Sequence, residues 1–326
     1  MDTSLCKYGA LMLTRDLVVV ESLGLPFIDD YCIVMPKYVY HSSGGPWVHR
    51  HSNLRFRRII SGYGPKGLSR AVELSRIRKI NDHLYNYNIP IINYNDIILY
   101  IDPREALLDI VNSPETPYEV YAALAIEAIV RVANIRSGEI GLTGSYAGRY
   151  YHENSDIDLV AYGYEVKKLY NIFHKIDNNI IPYTVGKEFL GGITVTPPID
   201  LSWRRGQVRI DSRTIGITWI GAPEEPGSHC PPIRNYLNID RPQRKGAEVV
   251  VEIERGQVEA LLYPPCPKGR NGIRIVSFEY NLGGLLYNGG TFRVRGTLSE
   301  SGRTIYLGLR EYPGELRLLE NSSSLP

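Results

Sequence analysis

The sequence contains no apolar run long enough to cross a membrane. Its most apolar helical stretch, residues 120–135, is interrupted by Glu127 and Arg131, whereas a membrane-spanning helix needs about 20 predominantly apolar residues. The first segment, MDTSLCKYGALMLTRDL, also lacks a basic start followed by a long apolar core, which is the pattern of a secretory signal. These absences predict a cytoplasmic protein that does not enter a membrane.

Cysteine is scarce, and its occurrences do not form a metal-binding pattern. The four positions are Cys6, Cys32, Cys230 and Cys266, with no CxxC pair and no histidine at a usual zinc spacing. The last two lie among prolines, in SHCPP and PPCP. We therefore expect structural thiols or core positions, in a reducing, intracellular setting.

The net charge is small, but the charges are unevenly distributed. The formal value is +2, which by itself indicates no class of partner. Residues 47–79, however, carry nine arginines or lysines and one acid. Trp47, Phe56 and Tyr63 are interleaved with these charges, a combination that suits phosphate backbones and stacked bases. A plain solvated surface is the alternative interpretation of this segment.

The length of 326 residues allows two or three domains. Residues 1–100 predict a mixed β/α segment that contains the basic stretch, and residues 101–222 predict a central mixed β-sheet with flanking helices. Residues 223–326 turn to proline, glycine and short β-runs, which are typical of a small all-β barrel or sandwich. The predicted class is α+β, with this boundary between Ala222 and Arg244.

The segment SPETPYEVYAALAIEAIVRVANI predicts the clearest helix of the chain. Thr116 suits the N-cap, Pro117 the first helical position, and Glu119 completes a capping box. The apolar spacing predicts a buried face. Its expected members are Val120, Leu124, Ala128 and Val132, with additions at Tyr121 and Ala125.

An acid pair interrupts an apolar strand in GLTGSYAGRYYHENSDIDLVAYG. Asp156 and Asp158 are separated only by Ile157, so alternation along a strand points both carboxylates to one face. At a separation of about 7 Å, their repulsion is on the order of 2 kcal/mol at an effective dielectric near 20. Partial burial adds a desolvation cost. A hard divalent cation, Mg²⁺ or Mn²⁺, held by both acids accounts for the arrangement.

A Gly-Ser pair lies just upstream of these acids. Gly144 ends a strand without a side chain, so a phosphate can approach its backbone, and Ser145 offers a hydroxyl and an amide at an expected helix N-terminus. A metal on one side and a phosphate cradle on the other predict a nucleoside triphosphate site. The expected reaction is in-line attack on the α-phosphate with release of pyrophosphate. The base of the nucleotide is not identified by the sequence.

The ordered combination resembles the signature of the nucleotidyltransferase superfamily that includes polymerase beta, CCA-adding enzymes and kanamycin nucleotidyltransferase. An apolar strand, Gly-Ser, ten intervening residues and Asp-Ile-Asp-Leu follow one another without a gap. TRDLVVVESLG, VMPKYVY and IVSFEYNLGGLLYNGGTFRVRGTL also resemble archaeal proteins known only as predicted nucleotidyltransferases. The resemblance implies metal-dependent transfer of a nucleoside monophosphate to an acceptor hydroxyl. A surface hairpin with a solvated acidic edge is the alternative.

The resemblance also implies a third carboxylate from a later strand, which helps to hold the metal and can act as a base. Asp200 lies between Ile199 and Leu201 in PPIDLSW, and these apolar neighbours favour it. Asp211, followed by Ser-Arg, is the second candidate. The expected catalytic and metal-binding set is therefore Asp156, Asp158 and Asp200.

Several cationic side chains near the motif are candidates for contacting phosphate groups. Arg204 and Arg205 follow Asp200 closely. Since arginine matches phosphate geometry, one of them is a candidate contact for the triphosphate or for the acceptor backbone, and a solvated strand end is the alternative. Arg149 lies in the loop between Ser145 and Asp156, Lys187 is a weaker candidate, and His152 is expected to have no role. The expected nucleotide-binding set is Gly144, Ser145, Arg149 and Arg204.

The sequence is compatible with three functions. The first is transfer of a nucleotide to RNA or another nucleic acid, which the basic residues 47–79 favour. The second is the same chemistry on a protein side chain or a small molecule. The third is a non-catalytic protein that binds nucleotide or nucleic acid with the same fold, and the intact Gly-Ser and acid pairs argue against it. The oligomeric state is not determined by the sequence.

Overall fold

The computed structural model describes residues 6–26, 31–49, 52–60, 65–82, 87–176, 190–231, 240–309 and 312–321. Within these ranges the chain forms three β-sheets and six α-helices. The predicted α+β class is therefore confirmed. None of the described helices combines the length and the apolar character needed to traverse a bilayer.

The described residues before position 102 form an antiparallel sheet of eight strands and one helix. These elements are β1 (Leu11–Thr14), β2 (Val18–Pro26), β3 (Tyr31–Tyr40), β4 (Trp47–Val48), β5 (Arg55–Arg58), α1 (Pro65–Ser75), β6 (Lys79–Asp82), β7 (Tyr87–Asn93) and β8 (Ile97–Ile101). The order is β4-β5-β3-β2-β1-β8, and β7 pairs with β3 and β6. Met12, Val20 and Val34 pack in one buried cluster of this sheet, as expected for apolar side chains that share one face of a pleated sheet.

A second, mixed sheet carries the acid motif. The elements in this part of the chain are α2 (Pro103–Asn112), α3 (Pro117–Ala133), β9 (Ile140–Thr143), α4 (Gly144–Ala147), β10 (Ile157–Tyr162), α5 (Val166–Ile176), β11 (Thr194–Thr196), β12 (Arg205–Ile210) and β13 (Arg213–Ala222). The sheet order is β12-β13-β10-β9, with β10 parallel to β13 and the other pairs antiparallel. Ile157 and Leu159 pack in one core with Ile126 of α3 and Phe173 of α5, so the helices cover one face of the sheet.

Helix α3 starts as predicted but buries a different face. Thr116 is its N-cap and accepts a hydrogen bond from the Glu119 amide, so the predicted start is confirmed. The main predicted core positions are wrong, because Leu124 is 42% exposed and Val132 is 62% exposed, whereas the predicted addition Ala125 is buried. The helix packs instead through small and branched residues, which let its backbone approach the sheet closely. These are Ala122, Ala123, Ala125, Ile126, Ile129 and Ala133.

The remaining elements build a third sheet. They are β14 (Pro242–Ile253), β15 (Arg274–Ser277), α6 (Gly283–Asn288), β16 (Gly290–Ser299), β17 (Thr304–Leu307) and β18 (Glu315–Asn321). The order is β11-β18-β16-β17-β15, and β14 pairs with β16. Strand β11 therefore belongs to this sheet although it precedes Ala222, where the central segment is predicted to end. Its core includes Ile199, Leu201, Phe292 and Val294.

All four cysteines are paired, which the sequence does not predict. Cys6 bonds Cys32 and Cys230 bonds Cys266, with Cα–Cα separations of 5.4 and 5.6 Å. The expected core positions are confirmed, because all four cysteines are buried. The expectation of thiols is wrong, because each pair is brought together by folding over a long stretch of chain, which local spacing does not reveal. The argument for a reducing setting, which depended on unpaired cysteines, therefore no longer holds.

Reduction of these disulfides is expected to destabilise the fold substantially. They close loops with sequence separations of 26 and 36 residues, and chain-entropy models assign about 3–4 kcal/mol of unfolding free energy to each such loop. Urea unfolding with and without a reductant measures the effect, and the paired serine variants C6S/C32S and C230S/C266S separate the two bonds. An unchanged unfolding midpoint after reduction would contradict this expectation.

Candidate active site

The two aspartates of the motif point to the same face of the central sheet. Asp158 lies between Thr143 of β9 and Thr218 of β13, and the Thr218 hydroxyl donates a 2.7 Å hydrogen bond to Asp158 Oδ1. Asp156, just before β10, packs against Gly216 of β13. Gly216 and Thr218 are two residues apart on one strand and therefore share a face. The carboxylates that they contact share it too.

Two glycines make room for these carboxylates. A Cβ on Gly144 would overlap Asp158 Oδ2, and a Cβ on Gly216 would overlap Asp156 Oδ1. Gly144 also has a φ of +68°, a conformation in which other residues are strained. Ser145 follows it in the short helix α4 and is buried. The Gly-Ser turn is thus in direct contact with the acid pair, as the motif predicts.

The positive charge near Asp156 and Asp158 does not fully compensate their negative charges. Asp156 is exposed at the rim of the site and Asp158 is half-buried. Partial desolvation of the Asp156 carboxyl raises its pKa, the negative charge of Asp158 raises it further, and Arg205 opposes both effects. A raised carboxyl pKa means that the surroundings disfavour the ionised form. A cation bound between the two acids would reverse that preference.

A buried ion pair next to Asp158 is not anticipated by the sequence analysis. Glu21 of β2 and Lys37 of β3 form it, and both side chains are less than 10% exposed. Burial raises the pKa of Glu21, Lys37 opposes the shift, and Asp158 adds to it. The Thr143 hydroxyl donates to the Gly9 carbonyl oxygen at 2.7 Å, so the first sheet contacts the motif here. The sequence signals for this ion pair are a single acid within the apolar run VVVESLG and a single lysine within IVMPKYVY.

Neither candidate for the third carboxylate joins the pair. Asp200 is exposed in a loop, where it accepts hydrogen bonds from the Ser202 amide at 2.8 Å and the Ser202 hydroxyl at 2.6 Å. Asp211 lies in the turn between β12 and β13. Across the described residues, no three His, Cys, Asp or Glu side chains are close enough to share one metal ion. The predicted set of three acids is therefore not assembled.

The apolar neighbours of Asp200 explain this error. Ile199 and Leu201 are buried in the core of the third sheet, so their apolar character comes from a loop packed there and not from a central strand. The strand beside β10 is β13, which offers Gly216 and Thr218 to the acids. The sequence of β13, RTIGITWIGA, alternates large apolar residues with small or polar ones. This alternation is the sequence signal that could have identified β13 as the strand beside the acids.

Arg204 is a packing residue, whereas Arg205 belongs to the site. Arg204 Nη1 donates to Asn281 Oδ1 at 2.7 Å, and its Cζ lies 4.9 Å from the centre of the Tyr280 ring. Burial lowers its pKa. Arg205 is the cross-strand partner of Thr218 and lowers the pKa of Asp156. The predicted contact between Arg204 and the nucleotide is therefore not favoured, whereas Arg205 faces the acid pair.

Arg149 is engaged by two acids at the start of helix α3, one before its N-cap and one in its first turn. Its Nη1 lies 2.5 Å from Glu115 Oε1 and 3.8 Å from Glu119 Oε2. Glu119 is fully buried and accepts a hydrogen bond from the Tyr151 hydroxyl at 2.9 Å. Two carboxylates thus neutralise this guanidinium and hold the motif loop against the start of α3. The predicted contact between Arg149 and phosphate is not favoured by this arrangement.

The remaining residues singled out in the sequence lie at the surface, in the core or outside the described residues. His152 is exposed and its ring lies 6.3 Å from that of Trp47. Phe56 is buried and offers no stacking surface. Lys187 and Tyr63 lie outside the described residues. The basic side chains that are described between residues 47 and 79 are exposed, with side chains of residues 50 and 66 outside the description.

A buried glutamate near Arg204 is expected to make stability depend on pH. Burial raises the pKa of Glu279 to about 7 from 4.5, and an amide hydrogen bond from Asn281 and the charge of Arg204 oppose the shift. The folded state therefore binds this proton more tightly than the unfolded state does. The free energy of unfolding should fall as pH rises through this window, by on the order of 3 kcal/mol.

Substitution of this residue isolates its contribution. Glu279→Gln keeps an oxygen that can accept from the Asn281 amide but does not titrate. Urea unfolding of both proteins at pH 5, 6, 7 and 8 measures the difference between their stabilities. We expect this difference to shift progressively in favour of the variant as pH rises. Parallel stability curves for the two proteins would disprove the assignment.

Comparison with known proteins adds no relative: no family model, no curated protein and no solved structure matches the chain.

Proposed function

We propose that the protein is a metal-dependent nucleotidyltransferase that moves a nucleoside monophosphate from a nucleoside triphosphate to an acceptor hydroxyl and releases pyrophosphate. The preferred acceptor class is a nucleic acid. The central domain would then have the nucleotidyltransferase-like fold, and the third sheet would be its C-terminal β-module. Transfer to a protein or a small molecule by the same chemistry is the alternative.

The observation that carries this proposal is the convergence of two acids and the Gly-Ser turn on one face of one sheet. Asp158 contacts Gly144, and Asp156, two residues earlier in the chain, faces the same side of the sheet. Two like charges so close together are unfavourable without a compensating cation. A surface hairpin would give neither acid a dedicated glycine nor Asp158 a hydroxyl donor such as Thr218.

The donor set fits a magnesium or manganese ion. Asp156 and Asp158 would hold it, and Mg²⁺ is commonly bound through one or two carboxylates while waters and substrate phosphates complete its shell. The absence of a third acid among the described residues is compatible with that mode. When bound, the metal would neutralise charge on the α-phosphate and polarise it toward attack.

The protein side chains supply orientation. The Thr218 hydroxyl fixes the rotamer of Asp158, and the Glu119–Arg149 cluster anchors the motif loop. Gly144 leaves room for the Asp158 carboxylate, so that an acid that would hold the metal lies directly against the backbone of the Gly-Ser turn. Arg205 provides a guanidinium beside Asp156, suited to a phosphate oxygen.

Transfer of label tests the proposal. The protein is incubated with Mg²⁺ and each of the α-³²P-labelled nucleoside triphosphates, with single-stranded RNA, with single-stranded DNA or without acceptor. We expect label on a nucleic acid and an equal amount of pyrophosphate. Label on protein alone would support the alternative acceptor. The absence of pyrophosphate and of transferred label under every condition would refute the proposed chemistry.

A further inference from the structure

Strand β12 carries a polar row on the same face of the sheet as the acid pair. Arg205, Gln207 and Arg209 are the cross-strand partners of Thr218, Gly216 and Thr214, without a register shift. Directly paired residues of an antiparallel pair point to the same side. Because Thr218 and Gly216 contact the aspartates, the row faces the same side as the aspartates.

The intervening residues confirm this orientation. Val208 is buried in the helix-covered core, and a Cβ on Gly206 would contact the Phe173 ring. These two positions therefore face the helices, and the odd-numbered positions face the site. Gln207 and Arg209 are exposed, and Arg209 forms no ion pair with any residue that the structure describes.

The row runs beside the acid pair and extends beyond it. Arg205 is level with Asp158, because both pair with Thr218, and Gln207 is level with Asp156, because both meet Gly216. Arg209 follows at a strand repeat of about 6.8 Å for every second residue and lies past the pair. Within the described sheet, β12 is an edge strand. A ligand can therefore lie along this row and continue past the edge of the sheet.

The acid pair has the Gly-Ser turn on one side and the polar row of β12 on the other, so each side offers different groups to a substrate. The Gly-Ser turn follows β9 on one side, and the row on β12 lies on the other, because the sheet order is β12-β13-β10-β9. In-line transfer needs the attacking hydroxyl and the leaving pyrophosphate on opposite sides of the α-phosphate. A triphosphate at the Gly-Ser turn leaves the β12 side for the acceptor.

We propose that Arg205, Gln207 and Arg209 form the track that binds the phosphodiester backbone of a single-stranded nucleic acid whose terminal hydroxyl accepts the nucleotide. The inference rests on the proposed function for the placement of the triphosphate. Cationic and amide groups repeating along an open edge suit a polyanion with regularly spaced phosphates. RNA and DNA share this chemistry, and the experiment includes both.

Binding without catalysis tests the track separately from the transfer reaction. The affinity for fluorescein-labelled single-stranded RNA and DNA 12-mers is measured by anisotropy, without nucleotide or metal, at several salt concentrations. We expect Arg209→Gln to weaken binding about 3- to 10-fold and to reduce the slope of log affinity against log salt by about 0.7. Gln207→Glu, which adds a negative charge to the row, should weaken binding at least as much.

Arg317→Gln is the matched control, because it removes an exposed arginine from β18 of the third sheet and should bind the 12-mers like wild type. Arg57→Gln removes an exposed arginine from the basic stretch on β5 and tests whether that stretch contacts the nucleic acid instead of the track. Loss of binding with Arg57→Gln but not with Arg209→Gln would overturn the inference, as would an absence of binding by the wild type.

The outcomes separate this inference from the proposed function. If the wild type transfers nucleotides but Arg209→Gln and Gln207→Glu bind the 12-mers normally, the track is wrong and the chemistry stands. If the wild type transfers nothing but both variants lose binding, the track stands and the chemistry is wrong. The unfolding midpoints of both variants are measured to exclude misfolding as the cause of weaker binding. Both positions are exposed, so we expect these midpoints to equal that of the wild type.

Discussion

Asp158→Asn should reduce nucleotide transfer by a factor of about 10³, since losing one metal ligand removes on the order of 4 kcal/mol of charge stabilisation. The fold should tolerate this change. Asparagine keeps an oxygen that can accept from the Thr218 hydroxyl, and it removes the repulsion with Asp156. A transfer assay and urea unfolding of the same preparation measure the two quantities. Loss of transfer with unchanged or slightly increased stability is the expected pair of results.

Asp211→Asn is the matched control for this substitution. It makes the same chemical change in the turn between β12 and β13, where Asp211 has a φ of +53°, a conformation that asparagine tolerates well. It should leave both transfer and stability unchanged. A loss of transfer in this control comparable to that of Asp158→Asn would restore Asp211 as the third carboxylate. Full activity of Asp158→Asn would instead exclude the acid pair from the chemistry.

Lys37→Met should destabilise the fold by about 3–5 kcal/mol, the usual cost of leaving one member of a buried ion pair unpaired. Glu21 would lose its cationic partner while remaining buried next to Asp158, whose charge already raises its pKa. Urea unfolding at neutral pH measures the loss. The effect should shrink at low pH, where Glu21 can take up a proton.

The double variant Glu21→Gln/Lys37→Met distinguishes an unpaired charge from a simple packing defect. Removing both charges together avoids the unpaired acid, and such paired replacements are often neutral or stabilising. We expect the double variant to lie within about 1 kcal/mol of wild type. A single Lys37→Met variant as stable as wild type would contradict the buried pairing. A double variant as unstable as the single variant would assign the loss to packing.

The local parts of the site could be predicted from the sequence because they depend on short-range rules. Strand alternation alone places Asp156 and Asp158 on one side, and the structure gives the same arrangement. The N-cap at Thr116 follows from its own hydroxyl and the proline after it. Each of these inferences needs only a few consecutive residues.

The remaining features depend on which distant segments meet. Apolar neighbours suggested a central strand at Asp200, but they pack in another core. Leucine and valine spacing suggested the wrong face of α3, because that helix is apolar on more than one side and its alanines allow the closer approach. The Glu21–Lys37 pair and the two disulfides likewise join residues far apart in the chain. No local pattern specifies these pairings.

Manganese binding tests most directly whether the acid pair is a cation site. Mn²⁺ is titrated into the wild type and the double variant Asp156→Asn/Asp158→Asn, and the unbound ion is followed by electron paramagnetic resonance. We expect saturable binding by the wild type and at least a tenfold weaker affinity (about 1.4 kcal/mol) in the variant. Equal affinities of the two proteins for Mn²⁺ would show that the acid pair is not a cation site.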